Sequence, residues 1–313
     1  MSAIETAKRE TQQIFDLTLK RLLRSSSVAV VQFINGLFGT EHSLDSIVDY
    51  PNTENVSDKL KRLLSDMVVV INGLYAYHLE AEIKDNENIA LRVFEYGFAE
   101  GLRTKKILNS GEKIWLRFPN TRIIYWETTA RTPDEVTLSL EFPEGGNYDY
   151  VVKTFKFLDH DINELEEKKL ALLLPFYVLK LRKRVKKSRH RAELCAEMKA
   201  ILENIDAALE RAVETGLMSK MDACNALEHT ERLYKELYQE YVEFKEVDAM
   251  LRDKILTYSE EAELKGREEG RKEGREENSF KVAKKLLARG MPLSEVADIA
   301  ELPIDKIQTL SLH

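Results

Sequence analysis

The stretch Asp66-Met-Val-Val-Val-Ile-Asn-Gly-Leu-Tyr-Ala-Tyr-His-Leu-Glu80-Ala-Glu82-Ile-Lys84 decides the fold. Two apolar runs of strand character flank Asn72-Gly73, a dipeptide that tolerates positive φ and so favours a tight hairpin turn. Strand side chains alternate between faces. Leu79, Ala81 and Ile83 therefore share one face, and His78, Glu80, Glu82 and Lys84 share the other. Charged groups on one face of a buried hairpin are costly unless they are paired or hold a cation. That cost marks the face as a candidate site.

Loop length sets the partners. A two-residue loop places Asp66 opposite Leu79, on the wrong face, whereas a three-residue loop, Asn72-Gly73-Leu74, places Asp66 opposite Glu80. The longer loop, or an equivalent bulge, is the expectation. Met67, Val69 and Ile71 then oppose Leu79, Tyr77 and Tyr75. Directly opposed residues have Cβ atoms about 5 Å apart, and two ionised carboxylates at that distance repel unless a divalent cation lies between them. Oxygen ligands suit Mg²⁺ or Mn²⁺ better than zinc. Such an ion binds phosphate oxygen and lowers the pKa of an attacking water. Glu82 is then a third ligand or a water-orienting group, and Lys84 stabilises charge on the phosphate. The competing reading is that these charges keep an edge strand from aggregating.

Further motifs lie outward from the hairpin in both directions. Phe15-Asp-Leu-Thr-Leu-Lys20 and Phe33-Ile-Asn-Gly-Leu-Phe-Gly39 precede it. Ala90-Leu-Arg-Val-Phe-Glu-Tyr96, Leu116-Arg-Phe-Pro119, Ile123-Ile-Tyr-Trp126, Glu166 to Tyr177 and a Gly-Arg-Glu-Glu-Gly tail follow it. With Tyr77-His-Leu-Glu-Ala-Glu82 these motifs, in this order, resemble the recombination-promoting nuclease and transposase-like (Rpn) family. The order Asp, then Glu-x-(Gln/Lys), resembles the wider PD-(D/E)XK nuclease superfamily. The resemblance implies an α/β fold with a restriction-endonuclease-like mixed sheet flanked by helices, and a metal-dependent DNA endonuclease activity. Carried over by position, Asp66 and Glu80 are metal ligands. Glu82 stands where the superfamily commonly has Gln or Lys, a departure that Lys84 or Arg92 would offset. A catalytically inactive relative that keeps the fold and serves in assembly or DNA binding is the alternative.

A chain of 313 residues that is 43% hydrophobic can bury a sizeable core. With neither a signal peptide nor a long apolar span, the expectation is a cytoplasmic protein without membrane contact. Cys195 and Cys224 lack metal-ligand spacing and read as ordinary thiols. A net charge of -7 argues against wholesale nucleic-acid coating but leaves room for a local basic surface. No P-loop, GxSxG, HExxH or strand-to-helix GxGxxG is present.

The resemblance implies a nuclease-like domain over 1–185. Residues 5–38 read as two helices broken at Ser25-Ser-Ser27, with Ile14, Leu17, Leu19 and Leu22 among the apolar positions. Asp16 and Lys20 lie one turn apart, either as a surface pair or, by the resemblance, beside the active site. Residues 87–105 read as a helix burying Ile89, Leu91, Val93, Phe94, Phe98 and Leu102. Its Arg92 and Tyr96 share a face, for packing or for a substrate phosphate. Strands follow to residue 157, with Ile123-Ile-Tyr-Trp126 central because it is apolar on both faces, and Leu170 to Leu181 reads as a core helix. Arg182, Lys183, Arg184, Lys186 and Lys187 form a basic run, either a solvated face or a DNA-backbone contact. A helical hairpin is expected over 186–258, its two long helices broken near Thr215 to Ser219 and counting Val242, Phe244 and Val247 among their apolar positions, and a Gly/Glu/Arg-rich linker or helix over 259–278. A small module over 279–313 has the order of a helix-turn-helix but few base-reading side chains. The C-terminal helices offer a route to homo-oligomers.

Overall fold

The computed structural model describes residues 3–50, 67–83, 87–108, 113–188 and 191–311. Two compact units divide the chain, residues 1–255 and 256–313. The first is a mixed α/β unit. Helices α1 (Ala3–Leu22) and α2 (Ser27–Phe38) are separated at the serine cluster, where Ser26 caps α2 through its hydroxyl. Strands β1 (Val48–Asp49), β2 (Val68–Ile71) and β3 (Tyr75–Glu82) come next, then helix α3 (Ile89–Arg103). A short ribbon of β4 (Lys106–Leu108) and β5 (Lys113–Trp115) leads into β6 (Asn120–Tyr125), β7 (Glu135–Glu141) and β8 (Asn147–Lys156).

The six-stranded sheet has the order β1-β2-β3-β6-β8-β7. β2 and β3 pair antiparallel with Val69 opposite Tyr77 and Ile71 opposite Tyr75, which is the register of the three-residue loop. Asn72 and Gly73 both adopt positive φ to close it. β3 then pairs parallel with β6, and β6 parallel with β8, while β7 returns antiparallel along the edge. β6 is therefore central, with Ile123, Ile124 and Tyr125 buried. A parallel β3–β6 pair needs a crossover, and α3 with the ribbon supplies it.

Helix α4 (Ile162–Glu167) carries an Asp161–Glu164 capping box. The following segment, Ala171–Leu181, is the expected core helix, of 3-10 type. Pro175 lacks the N–H that an α-helix would use there, and all but one of the eleven residues are buried. Packing on every side holds a geometry that is rarely sustained this long. Phe176 stacks on Trp126 at 4.0 Å, and Phe15 meets both rings edge-on, tying α1 to the sheet.

Beyond α5 (Arg182–Lys187), helices α6 (Ala192–Glu214) and α7 (Lys220–Tyr238) pack against the 3-10 segment, within the same unit as the sheet. The expected second long helix ends at Tyr238, and Val242 to Phe244 form a short 3-10 turn in which Val242 is exposed. Asp222 joins two helix starts. Its carboxylate accepts from the backbone and hydroxyl of both Ser26 and Ser219.

Helix α8 (Lys245–Leu287) runs through the glycine-rich tract, where a Cβ added at Gly270 or Gly274 would meet nothing within 4 Å. The second unit closes with α9 (Leu293–Ala300) and α10 (Ile304–Ser311) around Ala283, Val296, Ala300, Leu302 and Ile307. Among the described residues no helix is long and apolar enough to cross a membrane.

Candidate functional site

The acidic face of β3 opens into a cavity of about 150 Å³. Its lining includes Gln12, Asp16 and Lys20 of α1, His78, Glu80 and Glu82 of β3, and Arg92 and Tyr96 of α3. Spacing explains the convergence. Residues 12, 16 and 20 fall on one stripe of a helix, 92 and 96 on one stripe of another, and 78, 80 and 82 on one strand face. Asp66 and Lys84, expected as a metal ligand and a phosphate partner, lie outside the described residues.

Arg92 organises the carboxylates. Its Nη2 donates to Glu80 Oε1 at 2.5 Å and also to Glu82 Oε1. Burial works against the guanidinium charge, but Glu80 and Glu82 outweigh it and hold the Arg92 pKa above its ordinary value. The Nε of Arg92 is buried without a hydrogen-bond partner. On the other side of Glu80, His78 Nε2 lies 3.6 Å from Oε2. The His78 ring packs on Tyr96 and its Nδ1 is 3.4 Å from the Thr121 hydroxyl. Glu80 thus sits between an arginine and a histidine, and Glu82 shares the same arginine.

Gln12 was not anticipated. Its amide donates to the Ala81 carbonyl at 2.7 Å and to Asp16 Oδ1 at 2.8 Å, and its Oε1 accepts from the Ile83 N–H at 3.1 Å. The side chain imitates a strand at the end of β3 and fixes α1 over the acids. The i, i+4, i+8 spacing from Gln12 through Asp16 to Lys20 was the available signal. Burial, then the Glu80 charge, pushes the Asp16 carboxyl up to about 7, against the opposing pull of Gln12 and Lys20. Of the two roles open for Asp16, the one beside the candidate site fits its position.

The carboxylate oxygens of Asp16, Glu80 and Glu82 suit a hard divalent cation, with His78 as a nitrogen donor beside them. Among the described residues no group of three His, Cys, Asp or Glu side chains converges closely enough to hold one. A cation at Glu80 would need Arg92 to withdraw or a further oxygen from outside those residues.

Much of the expected DNA-backbone run serves the fold itself. Arg182 and Lys183 both bridge the buried Glu127, at 3.1 and 3.3 Å, and Arg184 pairs with Glu197 at 2.6 Å. Lys186 and Lys187 are exposed. A sequence run shows charge density but not which charges are already answered inside the molecule.

The architecture defines a mixed α/β protein with helices flanking a six-stranded sheet. In comparisons with known proteins, no protein-family model, no curated protein and no solved structure matches this chain.

Proposed function

We propose that the protein is a divalent-cation-dependent DNA endonuclease whose site is the acidic cavity at the end of β3. One observation carries this reading: Asp16, Glu80 and Glu82 face one cavity, where burial first and then the charge of Glu80 raise the Asp16 pKa to about 7. Three carboxylates are drawn together where Lys20 and Arg92 are the cations of the lining. A divalent ion relieves that excess and lowers the pKa of a water beside a phosphate. Glu80 would hold Mg²⁺ or Mn²⁺ together with Asp66, the residue just before Met67 in sequence. The finer PD-(D/E)XK assignment belongs to the same proposal, supported by a mixed sheet with the acids on a central strand. The Glu82–Arg92 pair answers the departure at Glu82, because Arg92 brings the positive charge that Lys would otherwise supply. Lys20, in the lining of the cavity, is a group suited to a phosphate oxygen.

A second reading has its own observation. Arg92 already pairs with both Glu80 and Glu82 and offsets part of their charge, as an inactive protein that keeps the fold would require. Supercoiled plasmid separates the two when incubated with Mg²⁺, Mn²⁺ or EDTA and with wild-type, Asp66→Ala or Glu80→Gln protein. Metal-dependent nicking lost in both variants is the expected result. Intact plasmid in every lane, from protein that is folded by circular dichroism, assigns the site to structure alone.

A further inference from the structure

Helix α3 was expected to bury Leu91, Phe98 and Leu102. The structure exposes all three, at 52%, 45% and 37%. Immediately beyond it the β4–β5 ribbon is exposed on both faces, with Ile107 and Ile114 each 61% and Trp115 44% accessible. An exposed apolar surface of this extent marks an interaction site, and its charge says which kind. Residues 103–117 hold five basic residues against one acid in a chain of net charge -7, and although Arg103 is paired with the buried Glu100, Lys105, Lys106, Lys113 and Arg117 keep the surface basic. Lys106 and Arg117 lie over the Trp115 ring at 5.9 and 5.3 Å. A second copy of the same basic surface would repel it, so self-pairing through this face is disfavoured. A polyanion with flat apolar faces inside suits it on both counts.

We propose that the β4–β5 ribbon is a contact element for duplex DNA through the face that carries Lys106, Leu108, Lys113 and Trp115, with the lysines on the phosphates and Leu108 and Trp115 toward the bases. The major groove admits a two-stranded ribbon, and apolar side chains there meet thymine methyl groups. The base of the ribbon is fixed. A Cβ at Gly97 would stand 2.4 Å from the Phe118 ring, and one at Gly101 would stand 3.2 Å from Leu116 Cβ, so α3 and the chain leaving β5 touch directly. Phe118 is further held by Phe94 and Tyr150. Helix α3 also carries Arg92 of the cavity, eleven residues before Arg103, or roughly 17 Å along the axis at ~1.5 Å per residue. That is about half a turn of B-DNA, so a single duplex can reach both. The choice of DNA rests on the nuclease reading, but binding is measured without metal and stands apart from cleavage.

The test is fluorescence anisotropy of the full chain with a labelled duplex, in EDTA, from 50 to 300 mM salt. Lys105→Gln/Lys106→Gln/Lys113→Gln is compared with Lys186→Gln/Lys187→Gln and with Trp115→Ala. Each phosphate contact contributes about 0.9 to the salt slope. The ribbon variant should therefore lose between two and three from the slope and roughly 100-fold in affinity near 150 mM salt. Trp115→Ala should weaken binding with the slope unchanged, and the α5 variant should bind as wild type. Equal binding by wild type and ribbon variant overturns the proposal. So does binding only to vesicles of anionic lipid, or a dimer that the ribbon substitutions dissociate. Binding without nicking in the plasmid assay would leave the ribbon in place and remove the nuclease.

Discussion

Replacing Asp16 with Asn should make the protein more stable at neutral and alkaline pH. The carboxyl is raised from 3.8 to about 7 by burial and by Glu80, with Glu82 adding to it. A group whose folded-state pKa lies above its unfolded value supports folding below the unfolded value, and that support is lost as pH rises through the folded one. For Asp16 the loss runs from about pH 4 to beyond pH 7. At about 1.4 kcal/mol per pKa unit, the ionised wild type gives up roughly 4 kcal/mol at pH 8. At pH 5 the deficit is under about 2 kcal/mol, because the unfolded chain is then only about one unit past its own pKa. Asn keeps an oxygen for the Gln12 amide, so the substitution removes charge with little change of shape. Urea denaturation followed by tryptophan fluorescence reads the right unit, since Trp115 and Trp126 both lie within residues 1–255. The stability difference between variant and wild type should grow from pH 5 to pH 8. Mg²⁺ at pH 8 should narrow it from the wild-type side if the cavity holds a cation. An Asn variant no more stable than wild type at pH 8, or a difference that does not change with pH, refutes the argument.

Two further substitutions test the frame around the cavity. Asp222→Ala should destabilise the first unit by about 3 kcal/mol in the same urea titration, because a buried carboxylate accepting from two helix starts is removed. Asp222→Asn should recover part of that loss; equal behaviour of the two would show that the hydrogen bonds contribute little. Gly97→Ala should cost about 1–3 kcal/mol through overpacking against Phe118. Amide exchange should then rise in β4 and β5 more than in β3, and a uniform rise would argue against the anchoring role of α3.

The hairpin was legible from sequence alone. Alternation put His78, Glu80 and Glu82 on one face, and loop geometry at Asn72-Gly73-Leu74 set the β2–β3 register, because both follow from backbone rules acting over a few residues. The central place of Ile123 to Tyr125 and the break at Ser25 to Ser27 were local in the same way. Tertiary structure decided what depends on distant neighbours. Arg92 answers Glu80 and Glu82 only because the crossover brings α3 back over β3. Gln12 meets Ala81 across sixty-nine residues of chain. The apolar stripe of α3 satisfied the periodicity of a buried helix, yet Leu91, Phe98 and Leu102 face outward. Periodicity identifies a face, not what covers it. Likewise the basic run after Leu181 was plain in the sequence, but Glu127, buried at the end of β6, claims two of its charges. Local pattern fixed the strands and their faces, and long-range packing determined which charges were already paired.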